Sequence, residues 1–326
     1  MNRRRAPALP VVAALALIAL GAFVFALAAG SVDVGFHTVV RALFANDGDA
    51  GSAVVRELRL PRAIAAFAVG GLLALAGALM QVLLRNPLAD PYVLGLSGGA
   101  ACGALAALLF GAAALATPAA FAGALVSTAI VFGLARGTGA WAPTRLLLTG
   151  VVVAAGWGAL IVLILAIAPE AQVRGMLFWL IGDLSTAAYG GTAFAMLVLL
   201  LAIAMVFARD ATLLARGDVA AASLGVPVHG VTLALHLLAV CATTVAVTVA
   251  GSVGFVGLVI PHIVRLLIGN DQRWLMPAAA LAGGALLTIA DTAARTVVAP
   301  AQLPVGVLTA LLGVPAFLYL LRRSAK

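Results

Sequence analysis

The sequence predicts an all-α, polytopic membrane protein with about ten transmembrane helices per subunit, organised as one domain over residues 1–326. Three observations predict it. Of 326 residues, 64% are apolar before the 35 glycines are counted. Only 9% are charged, about a third of what a soluble surface carries, which excludes a water-soluble enzyme. Apolar runs near the ~20 residues that a ~30 Å hydrocarbon core requires recur along the chain, and basic residues gather on alternate connections.

Met1-Asn2-Arg3-Arg4-Arg5 precedes an apolar run to about Ala29. Ala26-Leu27-Ala28 is similar to a signal-peptide cleavage site, but the run exceeds an h-region of roughly 7 to 15 residues. It therefore reads as an uncleaved first helix entered from the cytoplasm. Residues 31–60 hold Asp33, Asp47, Asp49, Arg56, Glu57 and Arg59 and form the longest break between spans. Nine further runs follow, at about 63–84, 94–113, 118–135, 146–168, 187–208, 228–250, 252–268, 274–293 and 304–321. Arg174 to Leu184 is too short to cross and reads as a half-helix between the fifth and sixth spans.

With the N-terminus inside, 13 of the 19 basic residues fall on cytoplasmic loops and ends; Arg41, Arg56, Arg59, Arg62, Arg174 and Arg295 fall outside. Acids divide the other way, with Asp90, Asp210, Asp218 and Asp271 inside and seven outside. This asymmetry supports the orientation and an even number of spans. It also accounts for the net charge of +8 without a nucleic-acid partner.

Cys102 and Cys241 lie in apolar runs with no ligand spacing, so neither a disulfide framework nor a zinc site is indicated. Lys326 is the only lysine, so the chain has no G-x-x-x-x-G-K-[ST] loop. Any ATP used must be bound by another chain. Gly95-Leu96-Ser97-Gly98-Gly99 fits G-x-S-x-G, but a serine nucleophile needs a base and a strand-turn-helix setting, and nothing places His236 against Ser97. His229 and His236 are seven apart, wider than paired ligands on a helix usually stand. No run carries a carboxylate near its middle, which weighs against proton-coupled transport. Asp291 and Arg295 are spaced to pair as i, i+4. Gly99 with Gly103, and the row Gly251, Gly254, Gly257, provide small residues for close helix packing.

Two polar segments stand out. From Arg209 to Pro227, Asp210-Ala211-Thr212 opens one short helix with an N-cap residue, Asp218 begins another, and Gly225-Val226-Pro227 ends it. Such a pair forms a docking platform; a solvated loop is the alternative. Arg59-Leu60-Pro61-Arg62 sets two arginines at the mouth of the second span, suited to gripping carboxylates or, alternatively, to anchoring in lipid headgroups.

Leu58-Arg59-Leu60-Pro61-Arg62, Arg85-Asn86-Pro87-Leu88-Ala89-Asp90-Pro91 and Leu94-Gly95-Leu96-Ser97-Gly98-Gly99-Ala100 together resemble the permease family of type II ABC importers for cobalamin, haem and ferric siderophores. Phe178-Trp179-Leu180-Ile181-Gly182-Asp183-Leu184 matches apart from Asp183, where that family usually has serine. Gly251-Ser252-Val253-Gly254-Phe255-Val256-Gly257, Pro261-His262, Gly269-Asn270-Asp271, Leu303-Pro304-Val305-Gly306 and Gly313-Val314-Pro315-Ala316-Phe317 continue it, with Gln302 where glutamate is commoner. The resemblance spans about residues 56 to 320.

The resemblance implies a homodimer in the bacterial cytoplasmic (inner) membrane, with an ATP-binding subunit dimer beneath and a periplasmic substrate-binding protein above. The chain would be a transport subunit without a cofactor, leaving ATP hydrolysis to its partner. Coupling would fall to Asp210, Arg216, Gly217, Asp218, Ser223, Leu224 and Gly225. Arg59, Arg62 and Arg295 look like arginines that grip the binding protein. The pathway would run beside the fifth helix, gated where Pro143 and Thr144 stand, past Phe178 and Trp179. Arg174 looks like an arginine of haem permeases placed to meet a propionate, which favours haem over the alternatives, cobalamin or a ferric siderophore. A secondary transporter and an intramembrane serine protease are the rival readings.

Overall fold

The computed structural model describes residues 7–30, 35–44, 49–135, 143–185 and 189–324, without the side chains of Phe36, Val93, Leu94, Pro143, Thr144, Leu321, Arg323 and Ser324. Of the charges used above, Arg3, Arg4, Arg5, Asp33, Asp47, Arg136 and Lys326 lie outside the described residues.

The first helix, α1 (Ala8–Ala28), is followed by α2 (Phe36–Phe44) and α3 (Ala50–Ala53), which runs through a π-helical turn, Val54–Arg59, into α4 (Leu60–Leu83). A 3₁₀ turn, Pro91–Leu94, leads to α5 (Leu96–Leu109), and another, Ala113–Leu115, to α6 (Ala116–Ala135). Next come α7 (Pro143–Ile167), α8 (Glu170–Ile181), α9 (Gly190–Val206), α10 (Ala208–Leu214), α11 (Asp218–Ser223) and α12 (Val228–Ala250). The chain ends with α13 (Val256–Ile268), α14 (Gln272–Thr296) and α15 (Val305–Ser324).

Apolar helices stand at each of the predicted runs, and α8 is the predicted half-helix. Six helical stretches are long and apolar enough to cross a membrane, and α9 joins α10 through a 63° bend as a seventh. The helices α5, α13 and α15 are shorter in their apolar part. In the runs at 94–113 and 252–268 the helices are shorter than the runs: α5 has 14 residues and α13 has 13, about 20 Å at 1.5 Å per residue. The cause is backbone. Gly95 takes a left-handed φ of 67° before α5, and the chain is unwound from Gly251 to Phe255 before α13.

The bundle is organised around α4, which is buried along nearly its whole length and packs against α14, α12, α9 and α13. Without a hydrophobic drive between helices in lipid, such packing depends on small residues that let backbones touch. A Cβ at Gly70 would lie 2.2 Å from the carbonyl oxygen of Gly283, and one at Gly283 would lie 2.4 Å from that of Gly70. Farther along, a Cβ at Gly77 would lie 1.8 Å from the oxygen of Gly257. Pro261 has no N–H to bond that carbonyl within α13, and α4 closes against it instead. Gly99 and Gly103 meet Gly123 and Ala119 of α6 in the same way. The predicted row Gly251, Gly254, Gly257 is no helix face: only Gly257 lies on a helix, and Gly251, with φ 67°, belongs to the break.

Most exposed of the six full spans is α7, whose Leu148, Val152 and Leu163 face outward from the subunit. On α12, His229 is exposed while buried His236 meets Phe132 edge-on and its Nδ1 lies 2.9 Å from the Thr232 oxygen. The two histidines do not share a site.

Candidate functional site

Three arginines converge where α1 ends. A helix terminus leaves four carbonyls unbonded and carries the negative end of the helix dipole. Arg59, 4% exposed, donates from Nη1 to the oxygens of Leu27 (2.8 Å) and Ala28 (2.7 Å). Arg295 donates to the oxygen of Ala26 at 2.7 Å and lies 3.4 Å from Asp291, the i, i+4 pair expected from sequence. Gly30 makes room: a Cβ there would come within 2.5 Å of the Arg59 guanidinium. Arg62 forks onto the carboxylate of Asp291 through Nε (3.0 and 3.1 Å) and Nη2 (2.9 Å). Its Nη1 donates to Oε1 of Gln302 at 2.9 Å. Buried Asp291 is thus held by two guanidiniums, and Arg62 also reaches an exposed side chain, Gln302.

Gln302 also lines a cavity of about 1140 Å³, whose wall includes Arg174, Phe178, Trp179, Asp183 and Tyr189. Ordinary small-molecule pockets hold roughly 300–1,000 Å³, so this one is roomy enough for a macrocycle. The exposed Arg174 guanidinium sits 5.7 Å from the centroid of the Phe178 ring, within cation–π range. The sequence-predicted Arg174, Phe178 and Trp179 are therefore brought together on one face of the cavity. Asp183 accepts hydrogen bonds from the Ser185 N–H (2.9 Å) and hydroxyl. Pro143 and Thr144 begin α7, and their side chains lie outside those described.

At the opposite end, α10 and α11 form the short-helix pair expected between Arg209 and Pro227. The N-cap assignment of Asp210 is corrected: it sits within the first turn of α10, because α9 bends directly into α10 at Phe207. Asp218 is the first residue of α11, behind Gly217, and Gly225 (φ 83°) follows its end. Thr212 Oγ1 accepts from the Gln272 N–H at 2.9 Å, capping α14 from the platform. Arg216, Asp218, Ser223 and Leu224 are exposed, and Val219 is 86% exposed. Val219 and Leu224 thus display apolar side chains beside the charges of Arg216 and Asp218.

The loop after α4 supports this platform. Arg85 forms an ion pair with Asp218. Asp90 Oδ1 accepts from the Tyr92 N–H at 2.8 Å, while burial pushes its carboxyl up to about 6. Burial, with Asp90 adding to it, also raises the Tyr92 phenol above its ordinary range. A side-chain hydrogen bond from Arg273 holds Asp271, the N-cap of α14, below the usual carboxylate value.

The family model described as the FecCD transport family matches residues 16–323. The chain belongs to that family. Two FecCD-type relatives are a cobalamin import system permease, BtuC of Halobacterium salinarum, and a hemin transport system permease, HmuU of Yersinia pestis. The first is 41% identical over 82% of this chain and 73% of the relative; the second is 41% identical over 90% of each. A solved structure described as an inward-facing metal-chelate type ABC transporter superposes with a TM-score of 0.83. It is 27% identical and covers 97% of this chain and 99% of the other.

This FecCD protein is accordingly a multi-pass membrane transport component, the permease of a metal-chelate type ABC importer, and not an enzyme. The serine-protease and secondary-transporter readings fall with that assignment. Ser97 follows a left-handed glycine into α5, with no strand among the described residues. Sequence reasoning missed Arg85, Tyr92, Val219 and Asp291's bond to Arg62. Only Val219 offered a local signal, as an apolar residue in a polar segment.

Proposed function

We propose that this permease imports an iron- or cobalt-containing chelate across a bacterial cytoplasmic membrane, with haem as the favoured cargo and cobalamin or a ferric siderophore as the alternative. One observation carries the reading: a single bundle holds an arginine-lined mouth and a large cavity at one end and an exposed docking platform at the other. Excess basic charge at the platform end makes it cytoplasmic. An ATP-binding subunit dimer docks there on Asp210, Arg216, Gly217, Asp218, Ser223, Leu224 and Gly225. A periplasmic binding protein meets Arg59, Arg62 and Arg295 at this mouth, where two guanidiniums share the Asp291 carboxylate, which favours an acidic partner. A second copy of the chain covers the exposed face of α7, and lipid covers the remaining apolar faces. The gate stands at Pro143 and Thr144, where α7 begins.

Haem is favoured because its propionates suit Arg174 while its macrocycle suits Phe178 and Trp179. The chain performs no chemistry; it works by differential stabilisation of outward- and inward-open states. The test is ATP-driven uptake of haem, cobalamin and a ferric-siderophore panel by the complete complex in vesicles. Haem should be taken up fastest, and Arg174→Ala should slow it about tenfold, the effect of one charge-assisted contact. Preferred cobalamin or siderophore uptake, unchanged by Arg174→Ala, would transfer the assignment to that cargo.

A further inference from the structure

Two non-glycine residues among those described have left-handed backbones: Arg85, with φ 48°, and Phe255, with φ 68°. Side chains rarely tolerate that region unless their surroundings hold them there, and such residues concentrate at switches and functional sites. These two lie 170 positions apart in sequence, yet a continuous set of contacts joins them.

At the platform, Arg85 pairs with Asp218, the first residue of α11. Both side chains are well exposed, so the pair adds little stability; its consequence is positional. The loop then runs through Asn86, whose Oδ1 accepts from the Leu88 N–H at 2.9 Å, to Asp90, which caps the turn that carries Tyr92. The Tyr92 hydroxyl donates to the carbonyl of Val253 and accepts from the N–H of the same residue, each at 3.1 Å. Val253 is buried in the unwound stretch between α12 and α13, where helix bonding lapses. One phenol therefore supplies both a donor and an acceptor to a residue inside a helix break.

The neighbours of the break continue the chain of contact in both directions. Pro91, beside Tyr92, touches the start of α13: a Cβ at Gly257 would lie 2.8 Å from its Cδ. Phe255 packs on α15, where a Cβ at Gly313 would lie 2.4 Å from the Phe255 Cβ. On the other side, the Asp183 N–H donates to the Ala250 carbonyl at 2.9 Å, and a Cβ at Gly251 would meet the Trp179 oxygen at 2.1 Å. Trp179, Asp183 and Gly251 all line the cavity.

We propose that Tyr92 is a positioning residue for transport, which carries displacement of α11, received through the Arg85–Asp218 pair, to the break Gly251–Phe255 and thence to the cavity wall. This rests on the ABC-permease reading and adds to it the route by which an ATPase stroke reaches the cargo. A physical warrant for coupling is an element with two arrangements that both ends bias. The unwound segment, bonded at Val253 by the Tyr92 hydroxyl and touching α8 and α15 on either side, takes that part in the proposed relay.

The experiment uses the full permease–ATPase complex in lipid nanodiscs, with Cys102→Ala and Cys241→Ala removing the native thiols. Gly254→Cys places a thiol in the break, where a Cβ meets nothing within 4 Å. Its reaction rate with a maleimide is compared in nucleotide-free and ATP–vanadate-trapped complexes. The rate should differ at least fivefold between the two states in the parent and less than twofold in Tyr92→Phe. ATP hydrolysis should stay within twofold between the parent and Tyr92→Phe. Asp218→Arg should also shrink the difference, and adding Arg85→Asp should restore at least half of it. An undiminished difference in Tyr92→Phe, no difference in the parent, or no rescue by the charge swap would overturn the relay. Absence of ATP hydrolysis by the complex would instead overturn the importer reading.

Discussion

Arg59 stands where a helix terminus offers unbonded carbonyls, and its guanidinium takes two of them from α1. Hydrogen bonds to charged donors are worth about 1.5–3 kcal/mol each, and a buried carbonyl left unpaired costs free energy in addition. Arg59→Met, which keeps the stem and removes the donors of both bonds, should therefore lower stability by about 3–6 kcal/mol. Thermal unfolding of the purified protein in detergent reads this, and an unchanged midpoint would contradict the assignment. Asp90 makes the opposite prediction. Its carboxyl ionises at about 6 in the fold, against an ordinary 3.8, so folding disfavours its charged form. Stability should be greatest below the ordinary value, fall as pH rises from about 4 to about 6, and stay level above. Asp90→Asn keeps the oxygen that caps Tyr92 and removes the charge. It should flatten that slope and gain up to about 3 kcal/mol at pH 7, at 1.36 kcal/mol per unit. At this scale the sequence disclosed Asp291 with Arg295, because i, i+4 spacing is local. It could not disclose Arg62 on Asp291, a bond that only the packing of α4 against α14 creates.

Helices form wherever apolar runs are long, and their positions followed from run length alone. Their interruptions followed only in part: the boundaries of the runs near 94 and at 250–252 fall at the breaks, but hydropathy does not register the left-handed dihedrals of Gly95 and Phe255 or the length of the unwound stretch. Small residues were legible as packing residues, but the partner of each was not. The Gly70–Gly283 crossing shows why, since each glycine is required by a backbone oxygen of a helix more than 200 residues away. Gly70→Ala would force a methyl group against that oxygen and should cost about 1–3 kcal/mol, the usual penalty of overpacking. A denaturation midpoint equal to that of the parent would show the crossing to be looser than described. On the platform, Val219 and Leu224 are 86% and 58% exposed, so replacing them leaves the fold intact. Val219→Asp with Leu224→Asp should reduce recovery of the ATPase with the permease at least tenfold. Full recovery would remove α11 from the docking surface.

Across the whole molecule, the described groups divide the work between two ends of one bundle. The arginines, the cavity and α8 lie at one end, α10 and α11 at the other, and the buried α4 spans the distance between them. The sequence carries no G-x-x-x-x-G-K-[ST] loop, its single lysine being Lys326. On the proposed function, the energy for uphill movement comes from a separate subunit, and the chain's contribution is to favour one open state or the other as that subunit moves. The most direct measurement compares vesicles containing this permease alone with vesicles containing the permease and its ATPase, each given ATP, the binding protein and haem. Accumulation against a gradient should occur only in the second set. Sustained accumulation by the permease alone would contradict the account.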